Sequence, residues 1–157
     1  MNKTFFTIAI VGILLLARAQ AEEFQVGFAQ LSITPDIIDQ WVDVNDDAQF
    51  DPDIDLWTDV NGNGKFDAVW MAGFQNQRPA QGVKDNLMAV AVVIDDGKNR
   101  IGIVSVDTVG LMRKFVLGVR EAVPAELGLD YLMVHATHNH EGPDTQGLWG
   151  PGFFSSG

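Results

Sequence analysis

Apolar and polar positions change rhythm several times along the chain, and each change marks an element. Residues 24 to 33 alternate loosely and predict a strand, which Thr34-Pro35 stops. Residues 87 to 94 form a continuous apolar run rich in Val and Ala, closed by the turn Asp95-Asp96-Gly97. Residues 101 to 106 follow as a second β-branched run, so these two runs predict a hairpin or adjacent core strands. Leu111, Phe115, Val116, Val119 and Val123 then recur at helical spacing, and Pro124 and Gly128 end that helix. Residues 131 to 136 make a third short apolar strand. Strand, helix and strand in this order are the βαβ pattern, so the predicted fold class is α/β, a mixed sheet containing one βαβ unit. Functional groups in such sheets gather at the carboxyl ends of strands, where Asp107 and three histidines fall.

Composition narrows the chemistry. The 157 residues carry a net charge of −11, which argues against nucleic acid as partner because that needs a basic footprint. Cysteine is absent, which excludes disulfides, Cys-ligated metal and thiol catalysis. Lys3, the apolar stretch of residues 5 to 16 and the small-x-small pattern Ala19-Gln20-Ala21 read as a secretory signal peptide over residues 1 to 21. That stretch is too short to cross a hydrocarbon core, which needs about 20 residues, so no integral span is expected in the mature chain. The expected location is secreted or periplasmic, where calcium is plentiful. The ending Phe153-Phe154-Ser155-Ser156-Gly157 follows a Gly/Pro-rich loop without a closing element, which suggests an incomplete catalytic domain over residues 22 to 157.

The acidic, turn-rich segment of residues 36 to 67 holds an internal repeat. Residues 41 to 51 and 57 to 67 align with a 16-residue shift, matching Trp, Asp, Val, Asn, Phe and Asp in register. Asp43, Asn45, Asp47 and Asp51 in the first unit, and Asp59, Asn61, Asn63 and Asp67 in the second, occupy loop positions 1, 3, 5 and 9 of a calcium loop. Gly64 supplies the sharp turn at position 6, which Ala48 does more poorly. Position 12, where an EF-hand has a bidentate Glu, is Ile54 or Trp70, and Asp53 or Asp55 is the candidate replacement, bridging both units. Hard oxygens this dense repel one another without a cation, so the repeat predicts structural Ca2+.

The segment 131 to 144 ends in Thr137-His138-Asn139-His140-Glu141-Gly142-Pro143-Asp144. If it is extended, His138 and His140 share a face and His135 points elsewhere. Two such histidines, completed by distant ligands, are a normal way to build a zinc site with one open position. The H-x-H-x-D pattern of metallo-β-lactamase-like hydrolases fails at Gly142, and amidohydrolase barrels carry their H-x-H on the first strand.

Ala136 to Asp144 resembles the Thr-His-Thr-His-Ser-Gly-Pro block of the neutral (non-lysosomal) ceramidases. Gly27 through Ile33-Thr34-Pro35 is similar to that family's opening strand, Met71-Ala72-Gly73-Phe74 to its Gly-Tyr block, and Val104-Ser105-Val106-Asp107 to its Val-Ser-x-Asp strand end. His135 stands where the family has a small residue, and Asn139 where Thr is usual. The resemblance covers roughly residues 24 to 151, and the acidic repeat looks like an insertion within it. It implies the N-terminal portion of a zinc-dependent hydrolase of an amide (N-acyl) bond in a small-molecule or lipid substrate. His138 and His140 then match zinc ligands, and the nucleophile and remaining ligands lie beyond residue 157. Asp107 is expected near the metal without ligating it, or else as the N-cap of the helix that follows. The competing reading is a non-enzymatic, secreted calcium-binding module with incidental histidines.

Overall fold

The computed structural model describes residues 23–151, so the expected signal peptide at 1–21 and the chain beyond 151 lie outside the described residues. Within it, six strands and one α-helix follow the order β1 (Gln25–Ser32), β2 (Gln40–Val42), β3 (Leu56–Thr58), β4 (Met88–Asp95), β5 (Arg100–Val106), α1 (Arg113–Ala122) and β6 (Tyr131–Ala136). The main sheet has the order β1-β4-β5-β6, antiparallel except for the parallel pair β5 and β6. The chain is therefore α/β at the level of a mixed sheet with one βαβ unit. Among the described residues no helix is long and apolar enough to cross a membrane.

The β4–β5 connection is a tight hairpin because Asp95 and Asp96 turn their carboxylates onto the backbone that follows. Asp95 accepts from the Gly97 N–H, and Asp96 from the Lys98 and Asn99 N–H groups, at 2.7 to 2.9 Å. These bonds favour the charged form and hold both carboxyls below their ordinary value. Arg100 adds a side-chain bond to Asp95, with Nη2 at 2.7 Å and Nε at 2.8 Å.

The apolar runs make the strands and also divide the sheet into unlike faces. Cross-strand partners share a face, so Val26, Ile94, Ile101 and Tyr131 form one row, and Phe28, Val92, Ile103 and Met133 the next. The opposite face mixes Gly27, Ala29, Ala91, Gly102 and Ala136 with the larger Leu31, Val93, Val104, Leu132 and Val134. Helix α1 packs against β6. It has no side-chain cap at Met112, but Arg120 sits in its last turn, where the helix dipole favours a cation. Arg120 Nε donates to the Leu132 carbonyl at 2.8 Å, Nη2 to the Tyr131 hydroxyl at 2.9 Å, and the guanidinium lies over the Tyr131 ring.

The acidic, turn-rich segment that carries the repeat contains a second, two-stranded sheet, which the sequence pattern did not predict. β2 and β3 pair antiparallel with Trp41 opposite Trp57, the two lead residues of the repeat. Strands of three residues are too short to leave a periodic signature, which is why the pattern alone missed them. Phe50 and Phe66 stack across the repeat at 4.1 Å, each touching the tryptophan of its own unit. The units also exchange backbone caps. Asp39, 1% exposed, accepts the N–H groups of Val60 and Asp67 in the second unit at 2.9 and 2.7 Å. Asp55, 5% exposed, accepts those of Val44 and Asp51 in the first at 2.9 and 2.8 Å. Asp39 and Asp55 are themselves related by the 16-residue shift, so the segment is a pseudo-symmetric, mutually braced unit.

Candidate metal centre

The loops leaving the parallel strands β5 and β6 are stitched together, and this places the histidine block. The Thr137 N–H donates to the Val106 carbonyl and the Asn139 N–H to the Thr108 carbonyl, at 2.9 and 3.1 Å. Asp107 accepts the Met88 N–H at 2.9 Å and the Thr137 hydroxyl at 3.1 Å. It thus fixes the residue next to His138, and the helix N-cap is Met112 instead. Across the block, Met71 bridges to Pro143 and the Ala72 N–H donates to the Gly142 carbonyl at 3.0 Å.

The two imidazoles meet, though not by strand alternation. His138 has a left-handed backbone, φ +64°, so the chain is not extended there. A carbonyl can only accept, so His138 Nδ1 donates to the Val109 carbonyl at 2.8 Å. In the neutral ring this leaves His138 Nε2 as a bare lone pair, and His140 Nε2 lies 3.1 Å from it. Zn–N bonds of about 2.0–2.1 Å arranged tetrahedrally would set two nitrogens about 3.3 Å apart, so the pair fits one edge of a zinc shell. A backbone carbonyl on the far nitrogen is the usual support for a metal-binding imidazole. His140 Nδ1 is buried without a hydrogen-bond partner. His135 is exposed on the strand face of Tyr131 and Met133, apart from the pair. Among the described residues no three His, Cys, Asp or Glu side chains converge on one cation position. Two ligands fit zinc, and the described chain supplies no third.

Aromatic groups rim the pair. The Phe74 ring lies 5.5 Å from His140 and is 81% exposed, with φ +63°, and Trp149 stands 6.1 Å from the same imidazole. Arg78 Nη2 donates to the His140 carbonyl at 3.3 Å, and its guanidinium lies over Phe74. Thr137, Asn139 and Glu141 line a cavity of about 780 Å3 with Leu87, Met71 and Pro143. Neither His138 nor His140 lines that cavity, so geometry of the nitrogens, not cavity size, identifies the centre.

The calcium-type side chains are gathered differently. In the second unit Asn61 and Asn63 both reach Asp67 at 2.6 Å, while Asp59 accepts the N–H groups of Gly62, Asn63 and Gly64. In the first, Asn45 meets Asp47 at 2.9 Å and Asp43 accepts the N–H groups of Asp47 and Ala48, while the Asp51 carboxylate accepts the Asp53 N–H and its carbonyl those of Ile54 and Asp55. Asp55 caps the first unit by accepting the Val44 and Asp51 N–H groups. Sequence reasoning missed Asp39 as its counterpart, which extending the repeat alignment two residues upstream of Trp41 reveals. It also missed Val109, whose contribution is a main-chain carbonyl and leaves no side-chain trace. Comparison of the chain with protein-family models, with curated proteins and with solved structures found no match.

Proposed function

We propose that the chain is the N-terminal portion of a secreted, zinc-dependent, ceramidase-like hydrolase of an amide (N-acyl) bond. The observation that carries the reading is the His138–His140 nitrogen pair at 3.1 Å, with His138 fixed by the Val109 carbonyl at the carboxyl ends of β5 and β6. The resemblance of residues 136–144 to the ceramidase His block supports the reaction class.

His138 and His140 would hold the metal through their Nε2 atoms. Zinc, when bound, supplies Lewis acidity that polarises a carbonyl or lowers the pKa of a bound water. Val109 keeps His138 in the tautomer whose Nε2 is free, and the Asp107–Thr137 bond holds the backbone that carries it. Phe74 and Trp149 offer apolar surface beside the imidazoles, which limits water and suits an acyl chain or another apolar group next to the scissile bond. The nucleophile belongs to a downstream segment in this reading. Hydrolysis of an N-acyl amide by the full-length enzyme, compared with its H138A and H140A variants, tests it. Loss of turnover in both supports the proposal, and retained turnover in either contradicts it.

The acidic repeat enters the same proposal as a calcium-stabilised insertion. The density of Asp59, Asn61, Asn63 and Asp67 at the loop positions of a calcium site favours it, since carboxylate and amide oxygens are the hard ligands calcium takes. Were the histidines incidental, this unit alone would make the chain a calcium-binding module.

A further inference from the structure

His138 and His140 are oriented by different devices. His138 is held by a hydrogen bond to Val109, whereas His140 Nδ1 is buried with no hydrogen-bond partner. What stands against the His140 ring is the backbone of Gly73. A methyl group built on Gly73 would overlap Nδ1 and lie 2.8 Å from Cε1 and 3.0 Å from Cγ. Gly73 has φ +80°, a conformation that side-chain-bearing residues adopt only under strain. The Ala72 bond to Gly142 and the Met71–Pro143 bridge keep this backbone pressed onto the residues flanking His140. Phe74 and Trp149 approach the same ring from other directions.

We propose that Gly73 is a positioning residue whose bare Cα serves as the wall that aims His140 Nε2 at His138 Nε2. The contact is steric, so it does its work without consuming a ring nitrogen in a hydrogen bond. Its consequence for metal affinity rests on the zinc reading above, while the wall itself does not.

The test uses the chain as it stands, with Gly73→Ala, Gly147→Ala, His140→Ala and the double variant Gly73→Ala/His140→Ala. Gly147 carries nearly the same strained backbone, φ +72°, but a methyl there meets nothing within 4 Å, so it reports strain without the wall. Long-range 1H–15N spectra of the imidazoles should show displaced His140 nitrogen signals in G73A and parental ones in G147A. Zinc titration should show G73A weakened by about 10–100-fold, the usual effect of disturbing a residue that orients a ligand, with G147A unchanged. In urea melts, the cost of G73A should shrink sharply when the His140 ring is absent, as a double-mutant cycle for contacting residues requires. Unchanged His140 signals in G73A overturn the proposal. So does an equal cost in both backgrounds, including failure of both G73A and the double variant to fold. If the parent chain binds no zinc, the metal reading fails, and the spectra and the cycle still decide the role of Gly73.

Discussion

Replacing Asp39 by Ala strips two backbone donors of their acceptor inside a buried site. The carboxylate is 1% exposed and receives the Val60 N–H at 2.9 Å and the Asp67 N–H at 2.7 Å. Leaving a buried donor unsatisfied costs about 1–3 kcal/mol, so two such donors bring the expected loss to about 2–6 kcal/mol. That is a large fraction of the roughly 5–15 kcal/mol of total stability usual for a domain. Water reaching the enlarged site would move the loss toward the lower end. The location of the damage is the sharper expectation. Asp39 precedes the first unit of the repeat yet caps the second, so amide exchange should accelerate at Val60 and Asp67 more than at Val44 and Asp51. Asp55→Ala should invert this pattern, because Asp55 caps Val44 and Asp51. Urea melts give the magnitude and residue-resolved hydrogen exchange gives the place. Loosening of the same loop by both variants, or a loss well below 2 kcal/mol with unchanged exchange, would refute the crossed bracing.

Other perturbations reach separate parts of the account. Ala48 has φ +60° where its repeat partner Gly64 has φ +74°, so Ala48→Gly relieves a left-handed alanine and should stabilise the chain by up to about 1 kcal/mol in a urea melt. The Asp96 carboxyl is held below its ordinary value of 3.8 by the Asn99 and Lys98 N–H groups and the Asn99 side chain. Its contribution is therefore full above that pH and lost as pH falls through the depressed value. Melting curves against pH should show the parent's advantage over Asp96→Asn at neutral pH disappearing in acid. Excess EGTA should lower the melting temperature if the acidic repeat holds calcium, and an unchanged melt contradicts the calcium proposal.

Much of the main sheet was legible because its strands are long, apolar and β-branched, and because α1 carries a helical stripe. The runs at 87–94, 101–106 and 131–136 fall on β4, β5 and β6 within a residue at each end. The bonding of Asp107 to Thr137 also follows from the βαβ order, since neighbouring parallel strands end on the same edge. The histidine pair shows where pattern reasoning stops. His138 and His140 were grouped by assuming an extended chain, but their rings meet through a left-handed residue and a carbonyl from another loop. Backbone acceptors such as Val109, and close approaches such as Gly73 on His140, depend on tertiary contact and leave no period in the sequence. The repeat was visible as matched residues, while its crossed caps, Asp39 on the second unit and Asp55 on the first, form only through tertiary contact.

The central claim is that His138 and His140 form one half of a zinc site, and calorimetric titration of zinc into this chain tests it most directly. The parent chain should bind zinc measurably but weakly, because two ligands close too little of the coordination shell. His138→Ala and His140→Ala should each abolish that binding, and His135→Ala should leave it intact. Binding that survives loss of either His138 or His140, or that disappears with His135, would contradict the account.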